Sequence, residues 1–360
     1  MRKFLTVALA SAAILATGAA NAAEFTLRFS QHQSSESSVY KEVTLKLKEF
    51  IEKESGGRIA VETFPNGVLH GNADGFKALS TDITDIAPAY PLYTPNSFHL
   101  AHGFFLPGAF ESVHATIRAG EEMYAKYIAP EYRALGVEMM FNAGSAPYQL
   151  VTTKKVESLA DLQGMKVRGA GGTVNKMVEA LGATPVTIPA SEMYTAMQQG
   201  LIDGVLVPTE SILTFRLEEL TKYYVPLDLG RAGFIPNGLN RKTYMALPDD
   251  LKEVMNRAGR HGALLYADWD QKGIQTALDT MKAKGVVTVE FSDEDKAKVA
   301  KAQEALWDEF VAKNEKDGYP VKEFVADMKA LSKELGNLDH DGYVEREKTH
   351  PVKGVLPGLK

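Results

Sequence analysis

DLQGMKVRGAGGTVNKMVEALGATPVTIPASEMYTAMQQGLIDGVLVP, residues 161–208, decides the fold. It reads strand, helix, strand, helix, strand. Lys166 and Val167 open a short strand that ends at Arg168. Gly169, Gly171 and Gly172 then let the backbone turn. A helix of about nine residues follows and stops at Gly182, a usual residue just past a helix end. Residues 185–188 make a second extended piece, and Ser191 is placed to cap the next helix, which stops at Gly200. Residues 202–207 form an apolar strand ending at Pro208. Strands alternating with helices predict a parallel sheet, with ligands bound beyond the carboxyl ends of its strands. Arg168 sits at such an end, where a guanidinium can grip a carboxylate with two parallel hydrogen bonds.

The glycines do not make a nucleotide loop. Val174 stands where G-x-G-x-x-G needs its third glycine, and no Walker lysine follows. No cofactor is expected. No metal is expected either: His99 and His102 are three apart, but no cysteine or H-E-x-x-H pattern accompanies them, so they read as part of a packed loop. The chain has no G-x-S-x-G element, which speaks against an enzyme.

Residues 1–22 read as a cleaved export signal. Arg2 and Lys3 precede an apolar run too short to span a membrane, and Ala20-Asn21-Ala22 fits the cleavage pattern. The expected location is the periplasm. The sequence has no cysteine, which excludes a disulfide and a lipid-modified cysteine. Losing Arg2 and Lys3 takes the formal charge from −6 to −8, and an acidic chain argues against nucleic acid as a partner. About 340 residues remain, more than one core comfortably holds.

Two stretches share a plan of strand, turn, helix, acidic residue and short apolar strand. They are FPNGVLHGNADGFKALSTDITDIAPAY at 64–90 and VTIPASEMYTAMQQGLIDGVLVP at 186–208. This favours two similarly built α/β lobes facing each other across a cleft. The expected fold is a two-lobe periplasmic-binding-protein type, class II-like, with crossing strands. Lobe I is expected over 23–147 plus about 233–275, and lobe II over 148–232 plus about 276–335. A polar tail is expected over 336–360. The expected crossings are 144–149 and 233–240, and Asp293 is expected to cap a helix running to about 314.

Four pieces carry a resemblance: SGGRIAVETFPNG at 55–67, SLADLQGMKVRG at 158–169, ALGATPVTIPASEMYTAMQQGLIDG at 180–204 and NRKTYMALPDDLKEVM at 240–255. In this order and spacing they resemble the periplasmic solute-binding subunits of TRAP transporters, the DctP-like family. The resemblance implies a long helix spanning both lobes, closure around an organic acid, and delivery to small and large membrane subunits driven by an ion gradient. It implies a monomer acting on a small-molecule carboxylate, and it puts the carboxylate-pairing arginine at Arg168. Presentation of the ligand to a sensor kinase would leave the same sequence.

Two departures bear on the ligand. Many members carry an arginine within G-F-R-Q-L-T, where this chain has Tyr148 in APYQLVT. Many read D-G-Q-E-N-P where this chain reads DGVLVP, so Leu206 replaces a glutamate and Val207 an asparagine. A second carboxylate would lack its partner, and an unpaired buried charge is costly. The expected ligand is an apolar or aromatic monocarboxylate. The expected walls are Tyr148, aliphatic surface from Val205 to Val207, Tyr90, Tyr93 and Phe234. A sugar acid or a C4-dicarboxylate is the alternative, with His32 or Gln31 supplying polar contacts.

Overall fold

The computed structural model describes residues 22–94, 96–231, 233–352 and 355–356. Residues 1–21 of the expected export signal lie outside them. Among the described residues, no helix is long and apolar enough to cross a membrane.

In chain order the first half comprises β1 (Phe25–Ser30), α1 (Leu45–Glu54), β2 (Ile59–Phe64), α2 (Gly75–Ser80), β3 (Ile86–Pro88), α3 (Val113–Tyr127), α4 (Ala129–Ala134) and β4 (Val137–Phe141). Then come β5 (Pro147–Thr152), β6 (Lys166–Gly169), α5 (Gly172–Ala180), β7 (Thr184–Thr187), α6 (Met193–Gln198), β8 (Gly204–Pro208), α7 (Ser211–Thr214) and β9 (Tyr223–Arg231). The chain ends with β10 (Asn237–Asn240), α8 (Arg241–Ala246), α9 (Asp249–Ala283), β11 (Val287–Thr288), α10 (Asp293–Lys316), α11 (Val321–Leu335) and α12 (His340–Thr349).

Two mixed sheets result, ordered β2-β1-β3-β10-β4 and β11-β9-β5-β8-β6-β7. In the first, β1 lies between β2 and β3, and all three are parallel. In the second, β6 lies between β7 and β8, again all parallel. The two stretches with a shared plan therefore occupy equivalent places. An antiparallel strand completes each set: β10 beside β3, and β5 beside β8. The carboxyl ends of β1, β3, β6 and β8 all meet one cleft, and residues following or ending each of these strands line it.

The sheets are joined at 142–146 and 233–236. Asn142 Nδ2 donates to the Gly233 carbonyl at 3.0 Å, and Ile235 N–H to the Ala143 carbonyl at 3.3 Å, so the two crossings are laced together. α9 makes a third connection. Its first half buries Leu251, Met255 and Ala258 in the first lobe, and its end buries Met281 in the second. Gly259 lets this helix lie directly on β4: a Cβ there would stand 2.2 Å from the Met140 carbonyl oxygen.

Several details differ from the sequence expectation. Ser191 caps nothing; a 3-10 turn over Ala190–Glu192 leads into α6. α10 is capped by Ser292, whose hydroxyl accepts from the Asp295 amide, rather than by Asp293. α11 runs back to α3 of the first lobe, where Lys126 pairs with Glu323 and Asp327 and Phe324 is buried against Phe104. The segment read as a polar tail contains α12, which buries Tyr343 with its hydroxyl on Glu121 at 2.8 Å.

Candidate functional site

Arg168 ends β6 and is buried. Its Nε donates to the Ile188 carbonyl at 2.8 Å, which fixes the plane of the guanidinium. Among the described residues no carboxylate pairs with it, and its terminal nitrogens meet no protein acceptor. It lines a cavity of about 80 Å³ between the lobes. The pinned edge and the unused fork suit a carboxylate taking both terminal nitrogens.

The cavity is the meeting point of distant segments. His32 follows β1; Tyr90 and Tyr93 follow β3; Tyr148 lies on β5; Val207 ends β8. Each of these expected residues lines it together with Arg168. Phe234 does not. It is fully buried in the core, stacked on Phe104 at 5.4 Å, and its neighbour Ile235 faces the cavity instead. Val205 and Leu206 likewise point into the cores on either side of their sheet, so Val207 alone supplies that wall. Gln31 is turned toward Asn237, 3.4 Å away, and Gln33 takes the place at the cavity.

Aromatic faces dominate the walls. His32 stacks on Phe215 of the second lobe at 6.4 Å and meets Tyr90 edge-on at 5.8 Å. Tyr266 and Trp269 of α9 close the back, packed edge to face at 5.2 Å. Burial raises the Tyr148 phenol well above its usual range, against the pull of the Arg168 guanidinium, so Tyr148 is a neutral donor. Burial, with His70 adding positive charge nearby, pushes His32 down to about 3, so it too is neutral. Among the described lining residues, Arg168 is therefore the sole cation.

Tyr93 works as a clasp. Its hydroxyl oxygen accepts from Asn72 Nδ2 at 2.9 Å in its own lobe and from the Ala190 amide at 3.2 Å across the cleft. Next to it the backbone of Gly171 holds φ +94°, a conformation that favours glycine, and a Cβ there would meet the Leu92 carbonyl oxygen at 3.0 Å. The first lobe's turn and the start of α5 thus touch backbone to backbone.

Sequence reasoning missed Glu210 and Asp270. Glu210, buried after β8, also lines the cavity. Asp270 on α9 accepts from the Ala146 amide of the first crossing at 3.0 Å. Burial raises Glu210 to about 7, and burial plus the Glu210 charge hold Asp270 well above the carboxylate range. The two carboxyls stand where a lobe II turn, a crossing strand and the spanning helix converge. No local motif marks them, because they lie sixty positions apart in sequence.

A larger groove of about 510 Å³ lies on the far side of Tyr93, between the first lobe's turns, α5 and α10. It contains His99 and His102 but not Arg168. These histidines part company: His99 stacks on Tyr319 at 4.5 Å, while burial pushes His102 down to about 4.

The sequence model of the bacterial extracellular solute-binding proteins, family 7 (DctP), matches residues 29–314. A TRAP solute-binding protein of Rhodoferax ferrireducens, solved with copurified benzoate, superposes with TM-score 0.81 at 24% identity, covering 89% of this chain and 99% of that one. A marine metagenome TRAP protein described as specific for aromatic acid ligands, solved with metahydroxyphenylacetate, superposes with TM-score 0.78 at 27% identity, covering 86% and 99%. A Roseobacter denitrificans TRAP protein, solved with β-D-glucuronate, superposes with TM-score 0.73 at 22% identity, covering 85% and 99%. The chain belongs to the DctP family of extracellular solute-binding proteins, and the solved structures it resembles here are TRAP solute-binding proteins, proteins of transport.

Proposed function

We propose that this chain captures an aromatic or apolar monocarboxylate by closure of its two lobes and delivers it to small and large TRAP membrane subunits. The observation that carries the reading is Arg168: a sole cation, pinned on one edge, opening into an aromatic cavity. One guanidinium neutralises one carboxylate. A second carboxylate would lack its cation, because no other cationic side chain among the described residues lines the cavity.

The walls offer Tyr90, Tyr93, Phe215 and Trp269 to a flat apolar body, at roughly 25 cal/mol for each Å² buried. The marine relative described as specific for aromatic acids points the same way.

A second reading, a sugar acid, is favoured by wall atoms without a hydrogen bond: His32 Nδ1, Asn72 Oδ1 and Thr214 Oγ1. A ring hydroxyl on an aromatic acid meets the same need. The deciding experiment is a thermal-shift and calorimetric screen of benzoate, hydroxybenzoates, phenylacetates, short 2-oxo and 2-hydroxy acids, succinate, malate and uronates. An aromatic acid is expected to raise the midpoint most. Stabilisation by a uronate or succinate alone removes the monocarboxylate reading and leaves the role of Arg168 standing.

A further inference from the structure

Away from the cleft, three helices far apart in sequence bring chemistry-bearing side chains together. His114 comes from the first turn of α3, Asp268 from the middle of α9 and His340 from the start of α12. One ligand atom from each lies within 4.8 Å of the others. His340 Nδ1 is 2.9 and 3.0 Å from the two Asp268 oxygens, and His114 Nε2 is 3.6 Å from Asp268 Oδ1.

His114 is what an ordinary surface pair leaves unexplained. Its side chain is fully buried, and neither ring nitrogen has a hydrogen bond. Burying a polar ring without a partner is costly, and at 3.6 Å the Asp268 oxygen is too far to supply one. The pairing of Asp268 with His340 accounts for those two residues only.

We propose that His114, Asp268 and His340 form a site for a borderline-soft divalent cation of the zinc class. Two imidazoles and a carboxylate suit Zn²⁺, Co²⁺ or Ni²⁺, whereas Ca²⁺ and Mg²⁺ take oxygen ligands. With bonds of about 2.0–2.2 Å, donors around a tetrahedral ion stand roughly 3.3 Å apart. The two measured donor gaps to Asp268 bracket that spacing. The remaining closure falls to His340, whose side chain is half exposed. A fourth, water-filled position opens on the side of His340 and Asp268, because both side chains reach solvent. Bound here, the ion ties α12 to α3 and to the turn of α9 that carries Trp269, a wall of the ligand cavity. The site is separate from the ligand cavity, and its test is independent of which acid the protein carries. His114 Nδ1 meets no acceptor that would orient the ring, which points to moderate rather than tight binding.

The test is calorimetric titration of the mature, chelator-stripped chain with zinc chloride in a non-chelating buffer. One ion per chain is expected, with a raised thermal midpoint and no comparable response to CaCl₂ or MgCl₂. His340→Ala removes an exposed ligand without opening the core and is expected to weaken zinc at least about tenfold. Cobalt gives a second readout: the intense visible bands of a four-coordinate ion are expected in the parent and lost in His340→Ala. No saturable zinc binding by the parent overturns the site. Equal zinc affinity of parent and His340→Ala overturns it as well.

Discussion

On the proposed reading Arg168 carries the largest single share of recognition. Leaving a buried carboxylate without its partner costs about 3–5 kcal/mol, so Arg168→Ala is expected to weaken the ligand by roughly two to three orders of magnitude or more. Arg168→Lys is expected to bind poorly too, because the ammonium keeps the charge and loses the two-pronged geometry that the Ile188 carbonyl orients. Calorimetry with the acid selected by the screen decides both, and unchanged affinity in Arg168→Ala ends the assignment. Arg168 was legible because β6 and the glycines after it announce a strand end from local sequence. Phe234 was not, since adjacent residues of an extended chain face opposite ways, and a shift of one position hands the cavity to Ile235. The same alternation puts Val207 on the wall and Leu206 behind it. Phe215, Trp269 and Glu210 come from a turn and a helix face, where no short-range pattern says which side chains look into a cleft.

At the scale of elements, helix ends and helix packing are testable separately. Ser292 is the residue whose hydroxyl accepts an amide at the start of α10, so Ser292→Ala is expected to cost about 1 kcal/mol in urea unfolding. Asp293→Ala is expected to cost less; the reverse order would restore Asp293 as the cap. Gly259→Ala pushes a methyl toward the Met140 carbonyl and is expected to lose about 1–3 kcal/mol, as overpacking does. A midpoint equal to the parent would mean that α9 does not sit directly on β4. The long helix was readable from its limits, with Pro248 before it and Gly285 after it. Its three-way role was not, because the amphipathic pattern marks a buried face without naming the lobe it meets. For the same reason α11 reads as a helix but not as one returning to α3. α12 escaped the sequence altogether: it is short and polar, and its single buried anchor, Tyr343, is paired with Glu121 more than two hundred residues away.

For the whole molecule, closure is the property that matters, and the parallel construction of the two sheets was visible in their shared strand-helix-strand plan. The convergence between the lobes was less so, since Asp270, Glu210 and the crossing at Ala146 meet only in three dimensions. On the proposed reading the acid contacts both lobes, so a smaller radius of gyration is expected in small-angle scattering when it saturates the protein. An unchanged radius with confirmed binding would count against closure. Closure also carries a pH signature. His32 of the first lobe is packed between Tyr90 of its own lobe and Phe215 of the second, and its Nδ1 is shielded. With the lobes as they stand its value is about 3, depressed by burial and by His70, while a wider cleft returns it toward the usual 6.5. A histidine with a depressed value in the closed form leaves that form fully favoured above pH 6.5. Below that, the open form takes up a proton that the closed form refuses, and affinity falls as pH drops toward about 3. The fall is expected to reach at most about tenfold at pH 5.5 relative to pH 7.5, because His32 is only partly enclosed. Glu210 works the other way: raised to about 7, it takes up a proton on mild acidification and removes a negative charge from the cavity wall. His32→Gln separates the two, since it keeps a polar side chain without a titrating ring. The parent is expected to lose affinity between pH 6.5 and 5.5, and His32→Gln to hold or gain it. Parallel curves for the two proteins would show that His32 is not the group coupled to closure.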